Sequence, residues 1–548
     1  MEKVKIISRG TGLDEILIDN FSYSELDRKI IELLKRNNGQ YNSLEKKWFI
    51  PYTKVNNLLS NLKDMNITTK YENAEPEIKP NEIESEFDII ISKVPSFLTY
   101  NYQKTAVEFL ANRHFAILGD GLGLGKTIES LISAKLLYDK KHFSKFLVVC
   151  YPISIIENWK REIKLISGGD ENFEKAFTIT NYEQFRSKGS GELINQYYDI
   201  VICDEASQLR NPTKARKGLQ ELKSKYYWFL SGEVVEKYPL DLFYIITTFT
   251  NFYKKEEFYN NFVIEKPQYL YKKVIKKIVG FKNITKLKEE ISPLYLKRTR
   301  EDVSNELKKV EIQAEYIRTP LTKEQEKGFG NIKKEIVMKR KMIGEDKNFL
   351  LEYFQKARLF LDDANYEDVE KEINSSKYNS LIKIINENKT EKTIIFTSYK
   401  IILKKLEKQL EKDGIKIMVI SSDMEKKERQ EKIDEYKKSK DIFVLLTSDI
   451  LAYGINLETS TILINYDIPL LGGKLKQRIY RMVRATTKSD VVKNYILTTD
   501  TNFDRHVEEI IKKKIAYAEA INQNIDKIGV ETIGFSIDEI KSIIEDIK

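Results

Sequence analysis

The chain has 548 residues, and with 41% hydrophobic and 11% aromatic residues it can build several packed cores, which excludes a disordered polymer. Lysine and arginine exceed the acids by a formal net charge of +9, which suits a phosphate-rich partner without specifying one. The 2 cysteines, Cys150 and Cys203, sit inside apolar runs as buried reduced thiols do, and the 3 histidines (His114, His142, His506) have no ligand spacing, so neither a disulfide nor a zinc site is expected.

Residues 1–70 alternate strand-like and helical patterns and predict a small α+β domain. An acidic, proline-containing stretch (ENAEPEIKPNEIESEF) reads as a linker over 71–93. From Val94 the pattern becomes apolar runs (FAIL, KFLVVC, AFTIT, YDIVICD, YYWFL) alternating with amphipathic helices, as in a parallel α/β sheet buried on both faces. This first block spans 94–290, with a helical insertion after 240. Residues 291–375 read as linker and helical protrusion. A second α/β block spans 376–505 (TIIFT, IKIMVI, IFVLLTS, STILIN, VVKNYILTT), and 506–548 reads as a helical brace.

The sharpest motif is GDGLGLGKT, directly after FAIL and before a helix. Strand, glycine loop and helix are what a phosphate loop requires: Gly121, Gly123 and Gly125 let backbone N–H groups face a phosphate, and the helix N-terminus adds its positive end. Lys126 would reach the β- and γ-phosphates of ATP, and Thr127 would hold Mg²⁺. A strict phosphate loop has glycine where this chain has Asp120. The strand YDIVICD then ends in Asp204 and Glu205, at the edge where such sheets bind ligands. Asp204 can hold the Mg²⁺ and Glu205 can orient and deprotonate a water. In the second block, KLKQRIYRMVR places Gln477, Arg481 and Arg484 on one face of a predicted helix, where arginines could stabilise a transferring phosphoryl group.

Over 98–521 these motifs resemble, in order and spacing, a Swi/Snf-type superfamily 2 helicase. TYNYQKTAVEFL is similar to the family's opening glutamine motif, which implies adenine recognition by Gln103. Asp120 is itself the family's habit. YPISIIENWKREI and TNYEQF resemble motifs implied to lie against a nucleic-acid backbone, PLYLKRTREDVSNELKKVE resembles the family's basic segment between lobes, and Gly454 of GINL joins the implied nucleotide-binding set. The resemblance implies two RecA-like parallel-sheet lobes with helical insertions, and a DNA-stimulated ATP hydrolase acting on double-stranded or branched DNA. A soluble, cytoplasmic protein is expected, since the start MEKVKIISRG lacks an apolar signal core.

Several positions depart from the family. DEAS carries Ser207 in the fourth place, SGE carries Glu233, and Leu451 and Ala452 replace the usual glycine pair. These departures keep an alternative open, an ATP-gated DNA clamp or scaffold with its motor uncoupled. A motor subunit of a restriction or defence complex is a further one. The segment YNSLEKKWFIPYTKVNNLL resembles the HepA-related (HARP) domain of annealing helicases. There Trp48, Phe49 and Tyr52, interleaved with Lys46, Lys47 and Lys54, are either stacking platforms for nucleic acid or the core of a small domain.

Overall fold

Runs that are apolar at every position become the central strands of two parallel sheets, because only burial on both faces matches such a pattern. The computed structural model describes residues 3–93, 100–186, 191–232, 234–235, 239–270, 273–343, 347–421, 423–449, 457–469, 472–483, 487–520 and 528–529. They divide into two compact units, built on Met1–Glu306 and on Leu307–Glu519.

The first unit opens with a small domain of β1 (Val4–Ser8), β2 (Leu13–Ile18), α1 (Glu25–Arg36), β3 (Gln40–Asn42), β4 (Lys47–Pro51), α2 (Val55–Asp64) and β5 (Thr69–Asn73). Its sheet runs β3-β4-β2-β1-β5, with β1 and β5 parallel and the other pairs antiparallel. Helix α1 starts in a reciprocal capping box between Ser24 and Asp27, and it buries Ile30 and Leu34 against Val4, Ile6 and Ile16. The stretch expected as a linker over 71–93 is instead ordered structure. It supplies β5 and then α3 (Pro80–Ser92), because Pro80 starts a helix well and Ile83, Phe87 and Ile90 recur at helical spacing into the core.

The RecA-like part follows as α4 (Asn101–Ala111), β6 (Phe115–Leu118), α5 (Lys126–Lys141), β7 (Phe146–Cys150), α6 (Ile156–Ser167), β8 (Phe177–Asn181), β9 (Tyr197–Asp204) and β10 (Lys223–Leu230). The region expected to be wholly helical after 240 contains a hairpin, β11 (Val263–Leu270) and β12 (Lys273–Phe281), whose Lys-rich strands masked their period from a sequence reading. Next comes β13 (Tyr295–Leu296), and the parallel sheet has the order β13-β6-β10-β9-β7-β8. Trp228, Phe146 and Leu131 lie in its fully buried core.

In the second unit, β14 (Glu311–Thr319), β15 (Thr393–Thr397), β16 (Ile417–Ile420), β17 (Val444–Ser448), β18 (Ile462–Asn465) and β19 (Val491–Thr499) form a parallel sheet ordered β14-β19-β18-β15-β17-β16. Apolar clusters cover both faces, one around Leu381 and Leu406, the other around Ile433 and Met482. The helices Lys323–Ile343, Lys347–Asp362 and Asn502–Ala520 pack through Phe329, Phe354 and Phe503. The expected limits at 290 and 375 therefore miss two edge strands: β13 still belongs to the first sheet and β14 already to the second. Of the expected terminal brace, 521–527 and 530–548 lie outside the described residues, while β20 (Ile528–Gly529) pairs with β12. No helix among the described residues is long and apolar enough to cross a membrane.

The small domain docks on the RecA-like part of its own unit. The Phe49 ring packs on His114 at 4.7 Å, the Tyr52 hydroxyl donates to the Glu289 carbonyl at 3.2 Å, Gln40 Nε2 donates to the Phe249 carbonyl at 2.9 Å, and Lys54 pairs with Glu257. Lys47 is held by Glu15 at 2.8 Å. Phe49, Lys47 and Lys54 are thus engaged in protein contacts, and Tyr52 is tethered through its hydroxyl. At this seam His114, Glu15 and Glu77 converge, a grouping that linear spacing cannot show. Arg9, Lys47 and Lys141 neutralise its carboxylates.

The seam should respond to pH. Burial pushes Glu45 up to about 7, and burial likewise pushes its partner His114 (3.1 Å away) down to about 4. An acid with a raised folded-state pKa keeps a proton that the unfolded chain releases, so its stabilising contribution is lost as pH rises through about 7. Thermal unfolding from pH 5 to 8 should show wild type losing stability relative to Glu45→Gln. Parallel curves would contradict this assignment.

Candidate active site

Strand β6 is buried at every position and delivers the chain to the loop at Gly119. Gly119 N donates to the Leu296 carbonyl at 2.7 Å, and a Cβ there would lie 2.3 Å from the Tyr295 ring, so the close approach of β13 requires glycine. Gly123 and Gly125 take left-handed φ values of 84° and 104°, and Gly125 is the N-cap of α5, which sets the loop at the positive end of that helix. Lys126 Nζ donates to the Asp120 and Gly121 carbonyls at 2.7 and 3.2 Å. Burial lowers its pKa, while Glu205, Asp120, Glu129 and Asp204 pull the other way. Gly232 lies close by, with Lys126 Nζ 3.4 Å from where its Cβ would be.

Asp120, which replaces the strict motif's glycine, is fully buried. Arg298 Nε lies 3.1 and 3.2 Å from its two carboxylate oxygens. The side chain anchors the loop to the segment leaving β13 rather than entering the phosphate cradle. Gln103, expected to read adenine, donates from Nε2 to the Leu124 carbonyl at 3.3 Å and accepts from Tyr100 N at 3.3 Å, while the Tyr102 hydroxyl donates to the same Leu124 carbonyl at 2.7 Å. It braces the loop in this structure.

At the end of β9, Asp204 Oδ2 accepts from Trp159 Nε1 at 2.9 Å and Oδ1 accepts from Glu205 N at 2.9 Å, while the Tyr182 hydroxyl donates to the Asp204 carbonyl at 2.9 Å. Burial, then the Glu205 charge, push the Asp204 carboxyl up to about 6. Glu205 takes a left-handed φ of 54°, rare for a residue with a side chain, and its Oε1 accepts from Ser207 Oγ at 3.0 Å. The fourth letter of DEAS therefore holds the candidate base. Two mutually repelling carboxylates offer hard oxygen donors of the kind that suits Mg²⁺, and a cation would relieve the repulsion that burial aggravates.

In the second unit the helix carrying the basic motif ends at Ile479, so Arg481 lies past it rather than on one helical face with Gln477. The turn tightens there, with Arg481 N donating to the Arg478 carbonyl at 3.2 Å and the Arg481 carbonyl accepting from Leu457 N at 2.8 Å. Gln477 and Arg481 are both buried. Arg484, Gly454, Leu451, Ala452 and Glu233 lie outside the described residues. Trp159, Tyr182, Ser207 and Arg298 join the site although no spacing rule marks them, each lying within a motif segment of the sequence.

Comparison with known proteins accords with this geometry. Residues 102–171 and 167–366 match the SNF2-related domain, and residues 376–486 match the helicase conserved C-terminal domain. The chain belongs to the SNF2-related family. Among its relatives, an ATP-dependent helicase of Mycoplasma genitalium is 23% identical over 450 residues, 76% of this chain and 42% of that protein. The ATP-dependent helicase YqhH of Bacillus subtilis is 23% identical over 462 residues, 79% of this chain and 81% of that protein. The DNA repair and recombination protein RAD54 of Oryza sativa is 33% identical over 163 residues, 25% of this chain and 16% of that one. This SNF2-type chain thus spans less than half of the Mycoplasma relative's length.

Proposed function

We propose that the chain hydrolyses ATP with Mg²⁺ and uses the cycle to translocate on or remodel double-stranded or branched DNA. One observation carries this reading: Asp204 is held by Trp159 and Tyr182, which come from the two segments whose resemblance implies contact with a nucleic-acid backbone. A partner on those segments thereby gains a short covalent and hydrogen-bonded path to the ligand of the metal. The RAD54 relative's name supports DNA as that partner.

In the proposed chemistry the loop 119–125 binds the phosphates through its backbone, Lys126 leaves the carbonyls of Asp120 and Gly121 to meet them, and Thr127 with Asp204 holds Mg²⁺. Bound Mg²⁺ supplies charge neutralisation on the phosphate oxygens. Glu205, aimed by Ser207, takes the proton of the attacking water. Arg481 and Arg484 are the arginines assigned to the charge that develops on the γ-phosphoryl group. The uncoupled-clamp reading rested partly on Ser207, and the Ser207–Glu205 hydrogen bond weakens that motive.

A triplex-displacement assay run beside a strand-separation assay tests the reading. ATP-dependent displacement of the third strand without separation of the duplex is expected. Failure of both assays under conditions where ATP is consumed would favour the clamp. Trp159→Phe removes only the indole donor, and a hydrogen bond to a charged group is worth about 1.5–3 kcal/mol. The expected outcome is a Mg²⁺ requirement raised about tenfold or more, with DNA affinity unchanged. An unaltered Mg²⁺ titration would remove Trp159 from the path.

A further inference from the structure

The small domain contains a buried acid that the nucleotide chemistry does not use. Asp14 on β2 is 1% exposed, and its carboxylate, with the Ser8 hydroxyl beside it, has no cation partner among the described residues. Its neighbour on the strand is treated differently. Glu15 faces the other side of the sheet and receives Lys47 at 2.8 Å and Arg9 at 3.3 Å, so the available cations are spent there. Burial raises the Asp14 pKa, with the Ser8 hydroxyl acting the other way. A buried carboxylate with no cation beside it costs free energy that a ligand ammonium would recover.

Asp14 lines a cleft of about 420 Å³ together with Tyr52, Tyr71, Leu59 and Pro293, a volume within the usual range for small-molecule sites. The turn between β1 and β2 borders it with Gly10 and Gly12, at φ values of 67° and 87°, and a Cβ at Gly10 would meet nothing within 4 Å. No side chain closes the mouth from that position. The ring of Tyr52 is held in place by its hydrogen bond to the Glu289 carbonyl, while Tyr71 is 45% exposed at the opening. The lining thus combines one carboxylate, two aromatic faces that attract a cation, and aliphatic walls that accept methylene groups. Ser8 and Asn56 also line the cleft, and one carboxylate with two neutral polar side chains is poor in the charged oxygen ligands that a hard metal ion demands.

We propose that this cleft binds a protonated alkylamine, its ammonium on Asp14 and its methylene chain along Tyr52, Tyr71 and Leu59. The same chemistry is offered by a soluble diamine or polyamine and by a lysine side chain of a partner protein. The site stands apart from the nucleotide-binding loop and does not rest on the function proposed above.

Calorimetric titration of the full chain with putrescine, spermidine and Nα-acetyl-lysine amide tests it, using wild type, Asp14→Asn and Tyr71→Ala. Saturable binding of an amine to wild type is expected, weakened about tenfold or more by Asp14→Asn and severalfold by Tyr71→Ala. Binding of the polyamines alone would identify a soluble ligand, and binding of the lysine amide would identify a side chain. The melting temperature of Asp14→Asn should equal or exceed that of wild type, because the exchange removes a buried charge with no cation beside it. Should that variant fail to fold, Tyr71→Ala, altered only at the mouth, carries the comparison. The proposal is overturned if no amine saturates wild type by about 10 mM, or if binding survives both substitutions unchanged.

Discussion

Replacing Glu205 with glutamine is expected to lower ATP turnover by about 10³-fold, within the range that a positioned general base supplies, while ATP still binds. Glutamine preserves the shape and can still accept the Ser207 hydroxyl at the position of Oε1, so the loop geometry should persist. What disappears is the basicity. The left-handed backbone at Glu205 follows β9 directly, and its N–H donates to Asp204 Oδ1 at 2.9 Å, so the two carboxylates are fixed relative to one another by the chain itself. Lys126→Ala should behave differently, weakening ATP binding as well as turnover, since Lys126 borders the loop proposed to receive the phosphates. Single-turnover measurements with a nucleotide-binding assay separate the two. Normal turnover by Glu205→Gln would remove Glu205 as the base.

Replacing Arg478 with alanine is expected to destabilise the second unit by about 3–5 kcal/mol, the usual cost of breaking a buried ion pair from one side. Arg478 is fully buried. Its Nε and one terminal nitrogen lie 2.9 and 2.6 Å from Asp449 Oδ1, the other terminal nitrogen donates to Asn465 Oδ1 at 2.9 Å, and the guanidinium stacks over Phe396 at 5.1 Å. It joins residues from β15, β18 and the segment after β17. Lysine at this position would not restore the loss, because a single ammonium cannot make this planar set of contacts. Denaturant unfolding measures the change. A cost below about 1 kcal/mol would place Arg478 among surface cations.

The basic motif shows what was legible in the sequence and what was not. Its arginines were visible as a pattern, but helical spacing alone ranks Gln477, Arg481 and Arg484 together and leaves Arg478 on another face. Whether an arginine is a tool or a strut depends on burial and on which acids the fold brings to it, here Asp449 from a segment far away in the chain. The same limit explains Asp120. Its deviation from a strict phosphate loop was plain, whereas its anchor, Arg298, follows an edge strand and lies 178 positions later. The strand, glycine loop and helix over 115–141 and the place of Asp204 at the end of β9 were legible because such elements are local, and locality is what periodicity reports. The linker expected over 71–93 was misjudged for the converse reason. Acidic composition outweighed the spacing of Ile83, Phe87 and Ile90, which the fold uses as a core-facing helix stripe. Phe49 packs on His114, a contact that no local pattern encodes.

The most direct test of the central claim is steady-state ATP turnover by the full chain with and without duplex DNA, in wild type and Lys126→Ala. The account predicts that duplex DNA raises the wild-type rate severalfold, that salt reverses the gain because phosphates carry the contact, and that the variant stays at background. A wild-type rate indifferent to DNA, or turnover that survives in Lys126→Ala, would contradict it.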